Sequence, residues 1–172
     1  CGTNFFYMPT LIRFRAQGVK PFIFGYSVTI HDFKTIVSKL VKKMVKISEK
    51  GEYIIVGHSL GGVVIRAAID QLPKGTLKPK MAFFLGSPVG ASRVAKYLTR
   101  NLVVSAITRD CGQLLSSHER MKSIPKPKVH TIAIIGTRGL KGKLTPFGSE
   151  DNDGVVTFSE VEADWYSEII RV

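Results

Sequence analysis

From His31 to Ser48 the apolar residues Phe33, Ile36, Val37, Leu40, Val41, Met44, Val45 and Ile47 recur in steps of three and four. That spacing lays one apolar stripe along a helix and leaves the lysines between them on the other side. The same period predicts helices over 9–16, 60–72 and 93–98, the second ended by Pro73 and Gly75. Between them lie short apolar runs without helical spacing: 22–24, 53–56, 81–85 and 129–135, with 169–172 starting a fifth. These read as buried strands. Residues 101–127 fit neither period and hold a helix around 111–121. Strands apolar on both faces, separated by helices, predict a mostly parallel sheet with helices on both faces, a three-layer α/β arrangement. No linker composition interrupts it, so residues 1–172 are expected to form one domain. In such a sheet ligands bind beyond the carboxyl ends of the strands. The loops after Tyr26, Val56, Leu85 and Ile135 are therefore the places to search for chemistry.

Composition changes this picture little. The chain is 44% hydrophobic and 22% charged, which excludes a disordered polymer. No apolar run approaches the roughly 18 residues of a membrane-spanning helix. Cys1 and Cys111 are too few for a disulfide scaffold and do not form a metal pattern. Charge is more distinctive: 25 Lys+Arg against 13 Asp+Glu leave a net +12. Such a field attracts polyanions. Lys39, Lys42, Lys43, Lys46 and Lys50 line the polar side of the long helix. A solvated face accounts for that row; an anionic membrane surface is the partner it would otherwise suit. Nucleic acid is not an expected partner, because basic residues are not interleaved with aromatic platforms. The stretch from Gly136 to Leu144 departs from a phosphate loop in length and in having Leu144 where Ser or Thr is required, and reads as a basic loop.

The most informative stretch follows the second strand: Gly57-His58-Ser59-Leu60-Gly61-Gly62. This is G-x-S-x-G between a strand and a helix, the context of a nucleophile elbow. A sharp turn there lifts the Ser59 hydroxyl above the sheet edge. Gly57 and Gly61 are expected where a side chain would crowd the neighbouring strand or helix. The helix after Ser59 points its positive end at the serine, and the Leu60 amide is placed to donate to an oxyanion.

Tyr53 to Val64, with this motif at its centre, resembles the elbow of bacterial lipases and esterases of the α/β-hydrolase fold. Phe83-Phe84-Leu85-Gly86-Ser87-Pro88 resembles the loop after that family's next strand, and Asn152-Asp153-Gly154-Val155-Val156 the segment carrying its acid. Gly2-Thr3-Asn4-Phe5 is similar to the stretch after its first oxyanion loop. The resemblance implies a serine ester hydrolase of the lipase or carboxylesterase kind, working on an ester or lipid substrate through an acyl-enzyme. It implies Ser59 as nucleophile, Asp153 as the acid orienting a histidine, and Asp151 as the fallback acid. It implies no metal and no organic cofactor, and it makes 101–127 a candidate lid or cap segment.

Two elements of that family have no counterpart in this sequence. Its histidine follows the acid, whereas His31, His58, His118 and His130 all precede Asp153. His58 adjoins the nucleophile, so its side chain is expected to point away from the Ser59 hydroxyl. The family's strand ending in His-Gly, which supplies the second oxyanion amide and lies beside the nucleophile strand, is also missing, which would leave a gap in the sheet centre. The expectation is a fragment whose parent carries both elements, inactive by itself for want of the triad histidine. The alternative is a catalytically dead hydrolase that binds lipid or an anionic partner.

Overall fold

The computed structural model describes residues 8–99, 101–142 and 145–172. The Gly2 to Phe5 resemblance and Cys1 lie outside them. Among the described residues, four strands form one sheet in the order β1-β2-β3-β4: β1 Ile54–His58, β2 Met81–Leu85, β3 His130–Ile135 and β4 Glu168–Arg171. All three pairings are parallel. Each crossover carries helix: α3 Leu60–Asp70 after β1, α4 Arg93–Thr99, α5 Leu102–Ser116 and α6 His118–Lys122 after β2, and α7 Phe158–Val161 after β3. Two helices precede the sheet, α1 Met8–Ala16 and α2 Phe33–Ser48. None of these helices is long and apolar enough to cross a membrane.

The long amphipathic helix starts where its sequence directs. Asp32 caps α2 by accepting from the Thr35 amide at 2.8 Å. Its stripe of Ile36, Val37, Leu40 and Met44 is buried against α3, most of whose residues are themselves buried. Lys43 and Lys50 stand over the Phe22 ring at 5.1 and 5.4 Å from its centre, so part of the basic row packs on an aromatic.

Register assigns the two faces of the sheet. Gly57, Phe84 and Ala133 stand side by side on the face that α3 and α7 cover. Gly57 lies against Ile65 and Gly62 of α3, and Ala133 and Ile135 pack on Val161 of α7. Trp165 and Tyr166 close this layer, with Phe84 meeting Trp165 edge-on at 6.0 Å between ring centres. On the opposite face Ile54 and Val56 are 55% and 51% exposed. Among the described residues β1 is an edge strand, paired with β2 alone, so the strand leading to Ser59 stands at one side of the four.

Residues 22–24 differ from their sequence pattern. They form no strand, and Phe22 and Ile23 are largely exposed. A strand exists only with a hydrogen-bonded neighbour, and no described strand pairs there. Residues 101–127 hold more helix than expected: α5 begins at Leu102, capped by Asn101, and kinks at Arg109. Ser117 then ends α5 and caps α6, its hydroxyl accepting from the Arg120 amide.

Candidate active site

Ser59 sits between β1 and α3 with φ 52° and ψ −125°, outside the backbone regions open to most L-residues. The turn is held from below. The Ser59 amide donates to the Leu85 carbonyl at 2.9 Å, extending the β1–β2 ladder by one bond, and its carbonyl accepts from the Gly62 amide at 3.0 Å. The hydroxyl does not cap α3, so it is not consumed by the helix that begins beneath it. Leu60 opens α3, and its amide belongs to the first turn, where amides lack partners within the helix.

Two glycines make this sharpness possible. A Cβ on Gly57 would stand 2.7 Å from both the Gly62 nitrogen and Ile65 Cδ1. The second crowded position is Gly62 and not Gly61. A Cβ on Gly62 would run into the Ser87 side chain and stand 2.7 Å from Phe84 Cδ1, whereas one on Gly61 meets only the Tyr26 hydroxyl at 3.9 Å. Ser87 is buried, with its hydroxyl donating toward the Gly57 carbonyl at 3.3 Å, so the loop after β2 locks the elbow from the side.

Asp153 reaches the same rim of the sheet from the loop after β3. One carboxylate oxygen, Oδ1, accepts from the Val155 and Val156 amides, each at 2.8 Å. The other, Oδ2, lies over Gly86, 2.5 Å from where that residue's Cβ would be. A Cβ on Gly136 would stand 2.7 Å from Asp153 Cβ. Glycines at the ends of β2 and β3 thus give the acid room to lie across the strand ends. The adjacent Asn152 is fully buried and pins the loop: its Nδ2 donates to the Leu140 and Glu150 carbonyls, and its Oδ1 accepts from the Gly154 amide. Asp151 is engaged elsewhere, in an ion pair with Lys141.

Glu160 and Arg93 are residues that the sequence reading passed over. The buried Glu160 carboxylate accepts from the Arg93 amide at 2.6 Å and the Thr157 amide at 3.1 Å. Arg93 also pairs with Glu150 at 2.9 Å, and Glu150 accepts from the Ser159 amide at 2.8 Å. Hydrogen bonding from Ser159 holds the Glu150 carboxyl below its ordinary range, with the Arg93 charge adding to it. This network ties the start of α4 to the acid loop. Thr157-Phe158-Ser159-Glu160 is a capping box, a signal that was present in the sequence.

None of the four histidines lines the space in front of Ser59. His130 opens β3 beside Met81 and Ile54, at the amino ends of the strands and opposite the elbow. His118 is exposed at the start of α6, and His31 contacts Lys39. His58 is exposed and, by strand alternation, on the opposite face of the sheet from Gly57. A cavity of about 140 Å³ opens at Ser59, walled by α4, α5 and Val155–Val156 of the acid loop, and no histidine lines it.

The fold has counterparts among known proteins. The model of a family described as "Putative serine esterase (DUF676)" matches residues 19–100, just under half of the chain, including β1, the elbow, β2 and α4. Among solved structures, the mature lipase of Bacillus licheniformis aligns with a TM-score of 0.58 at 18% identity, over 80% of this chain and 64% of its own. Tomato Methylketone Synthase I, solved with 2-tridecanone, aligns with a TM-score of 0.58 at 16% identity, over 96% of this chain and 83% of its own. The thioesterase of the prodiginine pathway of Streptomyces coelicolor aligns at 0.50 with 18% identity, over 81% and 60%. The chain has the α/β-hydrolase fold. It spans less than two thirds of the length of the Bacillus lipase and the Streptomyces thioesterase. No curated protein sequence matches it.

Proposed function

We propose that this chain carries the nucleophile and the acid of a serine ester hydrolase. The observation that carries the reading is the strained serine between β1 and α3, with a cavity in front of it and a hydroxyl that the helix does not use. Ser59 Oγ would attack the ester carbonyl carbon as a base takes its proton. The carbonyl oxygen would become an oxyanion facing the Leu60 amide and the positive end of α3. As the carbonyl re-forms, the alcohol leaves with the proton; water then repeats the cycle and frees Ser59. Asp153, fixed through Oδ1 with Oδ2 at the strand ends, would orient the base. The serine-esterase description of the family matched over the elbow supports this chemistry.

The base in this mechanism is a histidine, and the described residues bring none to Ser59. Little turnover is therefore expected of residues 1–172 by themselves. The test supplies the missing group from solution. With a short-chain aryl ester, added imidazole should raise turnover above the rate imidazole gives alone in the native chain and not in Ser59→Ala, and with imidazole present a fluorophosphonate should label Ser59. Turnover above the imidazole-only rate that survives Ser59→Ala would overturn the assignment. Ligand binding in the cavity with no labelling at any imidazole concentration would favour the second reading, a hydrolase fold that binds without cleaving.

A further inference from the structure

The cavity at Ser59 is walled almost wholly by hydrocarbon, though its sequence does not suggest it. Besides Ser59, three hydroxyl residues line it, Ser92, Thr99 and Thr108. Each hydroxyl is committed to helix backbone: Ser92 accepts from the Ala95 amide at 3.3 Å, Thr99 donates to the Ala95 carbonyl at 2.8 Å, and Thr108 donates to the Val104 carbonyl at 2.8 Å. Their oxygens are turned into the backbone, leaving carbon to face the space beside Ala95, Leu98 and Leu115. The wall is also closely built. Gly112 of α5 is buried, and a Cβ there would run into the Thr108 side chain and stand 3.4 Å from Thr99 Cγ2 of α4. Glycine inside a helix costs about 0.5–1 kcal/mol relative to alanine, and here it leaves room for the Thr108 side chain of the same helix, which lines the cavity.

We infer that this cavity is an acyl subsite of limited length, taking a saturated tail of about six carbons. The inference rests on the reading of Ser59 as nucleophile. Size sets the scale: an apolar protein cavity of about 150 Å³ accommodates benzene, a six-carbon body, and this one measures about 140 Å³. Polarity sets the class, since a wall whose hydroxyls are already paired offers nothing to a sugar, a phosphate or a charged head. Ala95 and Leu98 of α4 determine the length, the first by the space its methyl group leaves and the second by forming the wall nearer solvent, where it is 43% exposed.

Straight-chain methyl ketones probe the site, because they carry the carbonyl and the tail but no leaving group. Binding to the 172-residue chain is read by ligand-observed NMR from 2-butanone to 2-tridecanone. Each buried methylene is worth about 0.8 kcal/mol, so affinity should rise about fourfold per carbon and stop rising near a six-carbon tail. Ala95→Phe places a benzene-sized group in the space and should remove at least tenfold for the six-carbon tail while leaving 2-butanone unchanged. Leu98→Ala, at an exposed position that can be truncated without loss of fold, should move the plateau to longer tails. Affinity that is flat with length, or a plateau that neither variant moves, would overturn the inference. Fluorophosphonate labelling of Ser59 in the same samples, with imidazole added to supply the base, separates the two claims. Labelling with flat ketone affinity keeps the nucleophile and sinks the acyl subsite; length-dependent binding without labelling keeps the tail site and sinks the nucleophile.

Discussion

Replacing Ser59 by glycine and, separately, by alanine isolates the energy stored in the elbow. At φ 52° and ψ −125° any residue with a Cβ is strained, at a cost of about 1–3 kcal/mol. Alanine removes the hydroxyl and keeps the Cβ, so its stability should stay within about 0.5 kcal/mol of the native chain. Glycine removes the strain as well. It also gives the unfolded chain more freedom, which takes back about 0.5–1 kcal/mol. The net gain for Ser59→Gly over Ser59→Ala is up to about 2.5 kcal/mol, centred near 1 kcal/mol. In a chain of this size 1 kcal/mol moves the melting temperature by about 2–4 °C, so the expected rise is about 2–4 °C and at most about 10 °C. Thermal and urea unfolding followed by circular dichroism read it directly. Both variants should lose any fluorophosphonate labelling, so one substitution would raise stability as it destroys the site. The kink of α5 at Arg109, with φ 45° and ψ −131°, offers an internal comparison, with Arg109→Ala as baseline for Arg109→Gly. If Ser59→Gly is no more stable than Ser59→Ala, the serine is not strained and the argument from backbone geometry fails.

The other predictions concern the supports of the site. Gly62→Ala should destabilise by about 1–3 kcal/mol in urea titration, because its Cβ meets the Ser87 side chain and Phe84; Gly61→Ala should be neutral or stabilising by about 0.5–1 kcal/mol, since it gains helix propensity without a clash, and equal costs at the two positions would contradict the packing described. Burial, followed by the neighbouring Asp110 charge, pushes the Cys111 thiol up to about 11; at pH 8 iodoacetamide should modify it far more slowly in the native chain than in urea, as read by peptide mass, and equal rates would show the thiol is not buried. Glu150 has its folded pKa lowered chiefly by hydrogen bonding from Ser159. Its contribution to stability is therefore fully present above the ordinary glutamate value of about 4.3 and is lost as pH falls through the folded value; Glu150→Gln should flatten the stability–pH curve in that acid window, and an unchanged slope would remove Glu150 from the network.

Helix periodicity was legible from the sequence because a helix closes its own hydrogen bonds, so α2 and α3 follow from residues near one another in the chain. The elbow was legible for the same reason: strand, glycine, serine and helix are contiguous, and the turn's demand for small residues is local. The motif points to Gly61 and not to Gly62 because the crowding at Gly62 comes from Ser87 and Phe84, distant in sequence and brought close only by the β1–β2 pairing. Phe22 to Phe24 carries a strand pattern, yet whether a run becomes a strand depends on a neighbour the pattern does not contain. Asp153 was named by resemblance; its seat over Gly86 and Gly136 arises from the parallel register that aligns the ends of β2 and β3. The cavity belongs wholly to tertiary structure. Ser92, Thr99 and Thr108 would suggest a polar lining, and only the packing of α4 against α5, with these three hydroxyls turned to helix backbone, makes that wall hydrocarbon.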